Sequence, residues 1–473
     1  MKHALLSLLA IALYASPEAR SEDYDYFSAN RTLIRNGVQA VLTCNGLFTS
    51  NRTLEQVFDQ ELQYLSDRVG TVDGGNYRVD NADRWVAVGS PPYRVRAVFR
   101  RGIGCVVMAP NQTVDDIPSL PAQTLPTEKS ALHEVPWPDG DQLTAHPRLD
   151  RVNLKALNAA SDWAFDRDTP EQDTLSLLVI HDGHIVHERY APGVDVTTRT
   201  RTWSTAKSIA VTLIGLRAAQ STLELDEPLN LDWLPHIEPN DDPRNAITLR
   251  HTLNMSSGLY PVDSYRMEYA TGSGLAYWAG MSSVLGARNR GLVATPGTEW
   301  EYENYDTLLA IYAMKRTFKS AKDYLEFPRK ALLDRIGMHN TLLSTDRFGD
   351  FILSSQVYTN ARDLGRFGLL YLNNGRWHDE QLLDPEWIDF VRRPAPASHR
   401  RHFDYGGHFW LVPDNRTDVP ADAFATAGNR GQYVIIVPTH NLVIVRRGLD
   451  YGRQGFNRWD LTREVLKAFA PEN

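Results

Sequence analysis

Runs of apolar residues mark strands in the middle and near the end of the chain. Residues 176–181 form an apolar run, and residues 184–190 form a second, more polar run. The dipeptide Asp182-Gly183 separates them and is a strong signal for a two-residue β-hairpin turn. The same reasoning predicts three further strands near the C-terminus, at 409–412, 432–437 and 442–447.

Other segments of the same part of the chain have helical spacing. Apolar residues recur every three or four positions, which predicts helices at 151–165, 248–255, 306–315, 321–336, 360–372 and 461–469. Residues 208–216 are largely apolar and uncharged, as expected for a helix buried on most sides. The fold class is therefore α/β (α+β). We expect one antiparallel sheet, built from both ends of residues 146–473 and flanked by helices, with a helical region inserted between its strands.

The preceding residues, 22–145, are expected to form a smaller N-terminal region with a linker. The pattern predicts a helix that changes into a strand at 36–48, and a helix at 54–65. Strands are expected at 84–88 and 93–99. Residues 116–142 are rich in Pro, Thr and Asp, which is typical of a linker.

The first residues have the pattern of a secretory signal peptide. Met1, Lys2 and His3 precede an apolar run at 4–15, and we expect the signal to occupy residues 1–21. An uncleaved anchor is the alternative, but the run is short for a spanning helix, and no later span is predicted. We therefore expect a periplasmic or secreted protein.

Cysteine content and charge restrict the remaining possibilities. In an exported protein the two cysteines, Cys44 and Cys105, are expected to form a disulfide. The 473 residues contain 50 Lys and Arg against 58 Asp and Glu, a net charge of −8. No basic run or stripe occurs, which argues against a nucleic-acid partner.

The candidate chemistry lies at the start of the apolar helix, in Ser204-Thr205-Ala206-Lys207. Residues three positions apart share a helical face, so Lys207 can reach the Ser204 hydroxyl. A serine hydroxyl needs a nearby base to become a good nucleophile, and a lysine whose pKa is lowered by burial can supply one. The tetrad alone is equally typical of a helix start with a capping serine and a solvated lysine.

Two further motifs favour the catalytic interpretation of this tetrad over the structural one. The first is Tyr302-Glu303-Asn304, which follows Pro296-Gly297-Thr298, and the second is Ala427-Gly428-Asn429, which leads into a predicted strand. In this order the three motifs resemble the serine β-lactamase and penicillin-binding protein superfamily. The similarity is to class C β-lactamases and their esterase and amide-hydrolase relatives, over residues 160–450.

The resemblance implies the roles of four side chains. Ser204 would attack a carbonyl carbon and form an acyl-enzyme. Lys207 and Tyr302 would share the role of base, because a phenol beside an ammonium ionises more easily. Asn304 would hydrogen-bond Lys207 or the amide of the substrate. No cofactor is implied.

The resemblance also implies where the developing oxyanion is stabilised. The donors would be the backbone N–H groups of Ser204 and Asn429. Gly428 would let the strand edge approach the substrate closely, because glycine carries no side chain.

The chain departs from the superfamily at two positions. Thr426 stands where penicillin-recognising members carry a Lys or His that binds the substrate carboxylate, although Arg430 is close enough in sequence to substitute. Glu303 is an unusual middle residue of the second motif and is expected to face solvent. Both departures favour an esterase or amide hydrolase, similar to the 6-aminohexanoate-oligomer hydrolases, acting on a small ester, amide or peptide-like substrate.

Two alternatives remain open. One is a β-lactamase or a DD-peptidase-type penicillin-binding protein, and the other is a catalytically silent binding member of the fold. Three histidines, His181, His184 and His187, lie close together on the predicted hairpin. The intervening turn means that parity alone does not place them on one face, and we expect no metal site there.

Overall fold

The structure is a computed structural model that describes residues 27–123, 132–146, 148–238, 240–262, 272–398 and 404–469. The predicted signal peptide at 1–21 lies outside these residues. Within the described ranges, no helix is long and apolar enough to cross a membrane.

Residues 27–123 are called the N-terminal unit below. Its elements are α1 (Ser28–Phe48), α2 (Leu54–Gln56), β1 (Tyr77–Asp80), β2 (Trp85–Val88), β3 (Val95–Arg100) and β4 (Gly104–Val107). The strands form an antiparallel sheet in the order β1-β2-β3-β4, and α1 packs against it. A disulfide between Cys44 and Cys105 joins α1 to β4, which confirms the predicted pairing.

Two helical predictions in the N-terminal unit were wrong in detail. The predicted change from helix to strand at 36–48 does not occur, because α1 is continuous and buries Ile34, Val38 and Val41 at helical spacing. Packing of this face outweighs the modest strand preference of the valines and threonine in the segment. The helix predicted at 54–65 is broken into α2, a π-turn at Val57–Glu61 and a 3₁₀ segment at Gln63–Arg68.

The rest of the chain contains ten helices and eleven strands in its described part. The helices are α3 (Leu154–Phe165), α4 (Thr205–Ala218), α5 (Leu249–Leu253), α6 (Ser273–Trp278), α7 (Ser283–Arg288), α8 (Asn304–Lys315), α9 (Ala321–Pro328), α10 (Ala361–Leu372), α11 (Pro385–Arg392) and α12 (Arg458–Leu466). The strands are β5 (Thr174–His181), β6 (His184–Tyr190), β7 (Thr200–Arg201), β8 (Leu342–Leu343), β9 (Val357–Thr359), β10 (Arg376–Trp377), β11 (Glu380–Gln381), β12 (Trp410–Leu411), β13 (Phe424–Gly428), β14 (Gln432–Val437) and β15 (Leu442–Gly448).

The central sheet joins the two ends of this part of the chain, as predicted. Its six antiparallel strands run in the order β12-β13-β14-β15-β5-β6. The hairpin β5–β6 therefore lies beside the last strand, β15, although about 250 residues separate them in sequence. The helices α4 to α11 lie between the two groups of strands in sequence.

Both faces of the sheet are covered, which explains the unbroken apolar run of β5. Leu177 and Val179 point into a core shared with α3 and α12. Leu178 and Ile180 point into the larger core, which contains α4, α8, α10 and the N-terminal unit. Successive side chains of a strand alternate between faces, so a strand buried on both faces is apolar through most of its length.

Candidate active site

Ser204 immediately precedes α4 and occupies the N-cap position, but its side chain makes no capping bond to the helix. Trp203, the residue before it, has φ of +50°, a left-handed conformation that is uncommon for a residue with a side chain. Lys207 lies one turn into α4 and is only 1% exposed. A capping serine beside a solvated lysine is therefore the wrong interpretation of this tetrad.

The Lys207 amine contacts three oxygen atoms. Its Nζ lies 3.2 Å from Ser204 Oγ, 2.5 Å from Asn304 Oδ1 and 2.9 Å from the Ser354 carbonyl oxygen. An ammonium group has three N–H donors, so these oxygens can satisfy all of them. The Ser354 carbonyl belongs to a short loop before β9 and carries no motif that could have predicted its role.

Asn304 opens α8, and a second hydrogen bond sets the orientation of its amide. Its Nδ2 donates to Ser273 Oγ at 3.1 Å, which leaves Oδ1 facing Lys207. Ser273 is fully buried at the start of α6. The family resemblance implied that Asn304 hydrogen-bonds either Lys207 or the substrate amide, but no motif indicated Ser273, which orients Asn304.

Glu303 does not face solvent, and that expectation was wrong. The residue is 2% exposed and occupies the N-cap position of α8. Its carboxylate accepts hydrogen bonds from the backbone N–H groups of Tyr305 and Val262 at 3.0 and 2.8 Å. A carboxylate is stabilised at a helix N-terminus by free N–H groups and by the helix dipole, so Glu303 fixes the start of the helix that carries Asn304.

Tyr302 lies beside the lysine in a wall of aromatic rings. Lys207 Nζ is 4.8 Å from the centre of the Tyr302 ring, a separation at which the ring face attracts a cation. Trp300, Tyr405 and Trp410 surround the same ring with centroid separations of 6.3, 6.0 and 5.7 Å. Tyr302 and Trp410 are half-buried, so part of this wall remains accessible.

A second cation lies near Tyr302. The Arg458 guanidinium carbon is 5.3 Å from the centre of the Trp410 ring. Burial lowers the pKa of Arg458, whereas the neighbouring Tyr433 and Tyr302 raise it. Tyr302 therefore lies near two cations, Lys207 and Arg458. No sequence motif indicated Arg458, which starts α12 about 30 residues after the third motif.

The third motif forms the end of β13 and packs directly against the nucleophile loop. A Cβ atom at Gly428 would lie 2.1 Å from the Thr202 carbonyl oxygen and 3.1 Å from the Thr205 nitrogen. The missing side chain therefore allows β13 to approach the Ser204 loop. Asn429 follows at the exposed end of the strand.

Thr426 and Arg430 both have structural partners. Thr426 is completely buried, and its hydroxyl lies 3.1 Å from Thr205 Oγ1 and accepts a hydrogen bond from the Val434 N–H at 3.1 Å. Arg430 is 4% exposed, and backbone carbonyls of Glu61 and other residues hold its guanidinium. Arg430 therefore cannot replace the cation that Thr426 lacks.

His408 is a buried neutral histidine close to the site. Its Nε2 lies 3.0 Å from Thr307 Oγ1, and its Nδ1 lies 3.4 Å from the Tyr405 hydroxyl. Burial, with a further contribution from the charge of Lys207, lowers the pKa of His408 to about 3. An unfolded histidine titrates near pH 6.5, so the folded chain loses stability as the pH falls from about 6.5 towards 3.

The hairpin histidines do not meet as a group of three. His181 instead faces His146, with 3.1 Å between His181 Nδ1 and His146 Nε2, and Asp182 is close to both. The Arg148 N–H donates to His146 Nδ1 at 3.0 Å, which places the proton of a neutral His146 on Nε2. Metal binding at Nε2 needs the opposite tautomer, so this pair is better suited to a histidine–histidine hydrogen bond.

An antiparallel sheet flanked by helices, with a buried lysine beside a serine at a helix start, defines a β-lactamase-type fold. A family model described as Beta-lactamase matches residues 166–446. The chain belongs to this family.

Three solved structures show how widely this fold is used. A candidate 6-aminohexanoate-dimer hydrolase from Bacillus anthracis is 21% identical, with a TM-score of 0.50 over 59% of this chain and 75% of its own. A class C β-lactamase is 13% identical, with a TM-score of 0.51 over 70% of this chain and 100% of its own. A family VIII carboxylesterase is 14% identical, with a TM-score of 0.51 over 66% and 96% of the two chains. At identities this low, the structural matches establish a shared fold alone.

Proposed function

We propose that the chain is a serine hydrolase that cleaves an ester or amide through an acyl-enzyme on Ser204. The observation that carries the proposal is the contact of 3.2 Å between Lys207 Nζ and Ser204 Oγ. It occurs where the serine makes no capping bond and the lysine is buried. A hydroxyl beside a buried amine is the arrangement that activates a serine nucleophile.

The hydrogen bonds around Lys207 suit proton transfer in both directions. Asn304 Oδ1 and the Ser354 carbonyl can only accept, so each takes one N–H of the lysine. The third position, towards Ser204 Oγ, can hold either an N–H donated to the hydroxyl or an O–H donated to a neutral amine. The proton of Ser204 can therefore pass to Lys207 along an existing hydrogen bond.

The remaining steps follow from the same groups. As Ser204 Oγ attacks the carbonyl carbon, the carbonyl oxygen gains negative charge, and the N–H groups of Ser204 and Asn429 stabilise it. Collapse of the tetrahedral intermediate breaks the bond to the leaving group, which takes the proton held by Lys207 and Tyr302. Water then attacks the acyl-enzyme with the same pair as base and releases the acid and Ser204.

We propose neutral esters or amides with an apolar group as substrates. Thr426 carries no charge and is buried, and Arg430 is held by backbone carbonyls, so neither can bind a substrate carboxylate. The aromatic rings beside Tyr302 offer an apolar surface instead. One observation favours the alternative of a carboxylate-bearing β-lactam or peptide, namely the Arg458 cation next to Trp410.

A fluorophosphonate probe tests the nucleophile. We expect the parent protein to be labelled and Ser204→Ala to be unlabelled. Ser221→Ala, three residues after α4, serves as the serine control. Equal labelling of Ser204→Ala would refute the assignment of Ser204. Absence of labelling of the parent by both this probe and a fluorescent penicillin would favour a silent binding protein.

Comparison of p-nitrophenyl acetate with nitrocefin separates the two substrate classes. We expect the larger kcat/KM for the ester. Faster turnover of nitrocefin would favour the β-lactamase alternative.

We also propose export to an oxidising compartment, which the Cys44–Cys105 disulfide supports. The N-terminal sequence of protein recovered from the periplasm or medium tests this proposal. A mature chain that begins near residue 22 is the expected result.

A further inference from the structure

A single buried arginine holds the turn that follows β13. Arg430 comes directly after Asn429, whose N–H is a donor in the proposed oxyanion hole. Its Nη1 donates to the Glu61 carbonyl at 3.0 Å, and its Nη2 donates to the Gln60 carbonyl at 3.1 Å. Both acceptors belong to the N-terminal unit, more than 360 positions earlier in the chain.

The same guanidinium also binds the segment after β15. Its Nε donates to the Asp450 carbonyl at 3.1 Å, and its Nη2 donates to the Leu449 carbonyl at 2.8 Å. The Glu61 carboxylate lies 3.7 Å away and compensates part of the buried charge. The Tyr64 ring centre is 4.7 Å from the guanidinium carbon. Arg430 therefore ties three separate segments of the chain together.

The backbone of this turn needs such support. Arg430 has φ of +60°, a left-handed conformation that costs a non-glycine residue free energy. Such conformations persist where the surrounding contacts determine them. If its contacts were lost, the turn would relax, and the N–H of Asn429 would move with it.

The nucleophile loop, on the other side of the proposed oxyanion hole, has a similar arrangement. Trp203, which precedes Ser204, has φ of +50° and packs against Trp278 with 6.3 Å between ring centres. Trp278 is in turn backed by α1, because a Cβ atom at Gly37 would lie 1.9 Å from the Trp278 carbonyl oxygen. The N-terminal unit thus supports both residues that adjoin the proposed donors.

We propose that the N-terminal unit positions the oxyanion hole, through Arg430 on the Asn429 side and through Trp278 on the Ser204 side. Arg430 is a positioning residue, since it acts through the Asn429 backbone. This inference rests on the proposed function. Its physical basis is that oxyanion donors act only when they are held at hydrogen-bond distance before the reaction begins.

Substitution of Arg430 tests the proposal with two substrates. We expect Arg430→Met to lower kcat for p-nitrophenyl acetate about 10²-fold with little change in KM, because displacement of a donor by about 1 Å costs that much. The O-p-nitrophenyl thionoacetate should lose less, since sulfur accepts hydrogen bonds weakly. The ester-to-thionoester ratio of kcat/KM should therefore fall about tenfold.

Arg244→Met is the matched control. Arg244 is also a buried arginine, 3% exposed, and it holds the carbonyls of Leu234 and Pro235. Its substitution should leave the ester-to-thionoester ratio unchanged. Rates are to be expressed per folded molecule, with the folded fraction measured by urea unfolding. If Arg430→Met does not fold, Arg430→Lys, which retains the charge but not the forked donors, should show the same fall in the ratio.

The outcomes are distinct. An unchanged ratio in a folded Arg430 variant would overturn the proposal and leave Arg430 a purely structural residue. A parent protein that neither hydrolyses the ester nor reacts with fluorophosphonate would overturn the proposed function itself, whatever the Arg430 variants do.

Discussion

Gly428→Ala should separate the third motif from the nucleophile loop. The new Cβ atom would lie 2.1 Å from the Thr202 carbonyl oxygen and 3.1 Å from both the Thr205 nitrogen and the Gln432 Cβ atom. Ordinary contact needs about 3.5 Å, so β13 and the Thr202 carbonyl oxygen must separate by about 1.4 Å. Both contacts on the loop are backbone atoms and cannot rotate away.

This displacement has two expected consequences of different size. Overpacking by one methyl group costs about 1–3 kcal/mol, which a domain with 5–15 kcal/mol of stability tolerates. Loss of alignment of one oxyanion donor lowers kcat by about 10²–10³-fold. We therefore expect a Gly428→Ala protein that folds but is nearly inactive.

The assay is p-nitrophenyl acetate hydrolysis, with urea unfolding on the same samples. Gly291→Ala and Gly455→Ala are matched controls, because a Cβ atom at either position meets no atom within 4 Å. Both controls should keep the parent rate. A folded Gly428→Ala protein with kcat within about twofold of the parent would refute the close approach of β13 to Ser204 as a requirement for catalysis.

Three further predictions concern the surroundings of the site. Asn304→Ala removes one acceptor from the buried Lys207 amine and should lower kcat by about 10²-fold. Ser273→Ala only releases the Asn304 amide and should lower kcat about tenfold. Equal losses of kcat would contradict this ranking. Between pH 7.5 and pH 5.0 the parent should lose about 2 kcal/mol more unfolding free energy than His408→Asn. Urea titration at the two pH values measures this difference. Equal losses in the two proteins would contradict the lowered pKa of His408. Replacement of Cys44 and Cys105 by serine opens a loop of 61 residues and should lower the unfolding free energy by about 4 kcal/mol, with an unchanged urea midpoint as the contrary result.

The pH prediction concerns a difference between two proteins because other groups titrate in the same range. Burial and the charge of Asp346 raise the pKa of Asp350 to about 6, although Lys315 partly opposes them. Because the pKa of this carboxyl is raised in the folded state, the protein gains stability as the pH falls from about 6 towards 4. This gain opposes the loss of stability that His408 causes. Since Asp350 is present in both proteins, its contribution cancels in the comparison.

Local pattern was sufficient for several elements around the site, but it predicted no strand at Phe424–Gly428 (β13), which carries the third motif. The hairpin β5–β6, the strands β14 and β15 and the helices α8 and α10 lie within a few residues of their predicted bounds. Their periodicity reflects burial on one or both faces, which a short segment of sequence records directly. The order of the three motifs likewise led to the family before any contact was known.

The contacts that complete the site depended on tertiary structure. Lys207 meets the Ser354 carbonyl 147 positions later, and Arg430 meets Glu61 369 positions earlier. Backbone acceptors carry no residue-type signal, so no motif could reveal them. Glu303 was misplaced for a similar reason. Its charge suggested exposure to solvent, but the N–H groups of a helix start and of a neighbouring loop allow it to be buried.

The sequence by itself therefore determined which residue types are available for catalysis, and it placed Ser204 and Lys207 at a helix start. Only the tertiary structure decided that Ser204 is not a capping serine, that Gly428 faces the nucleophile loop, and that Arg430 is held by backbone carbonyls of the N-terminal unit and of the segment after β15. The physical reason is that spacing along a helix or strand is fixed by local geometry. Contacts between distant segments are fixed by how the whole core packs.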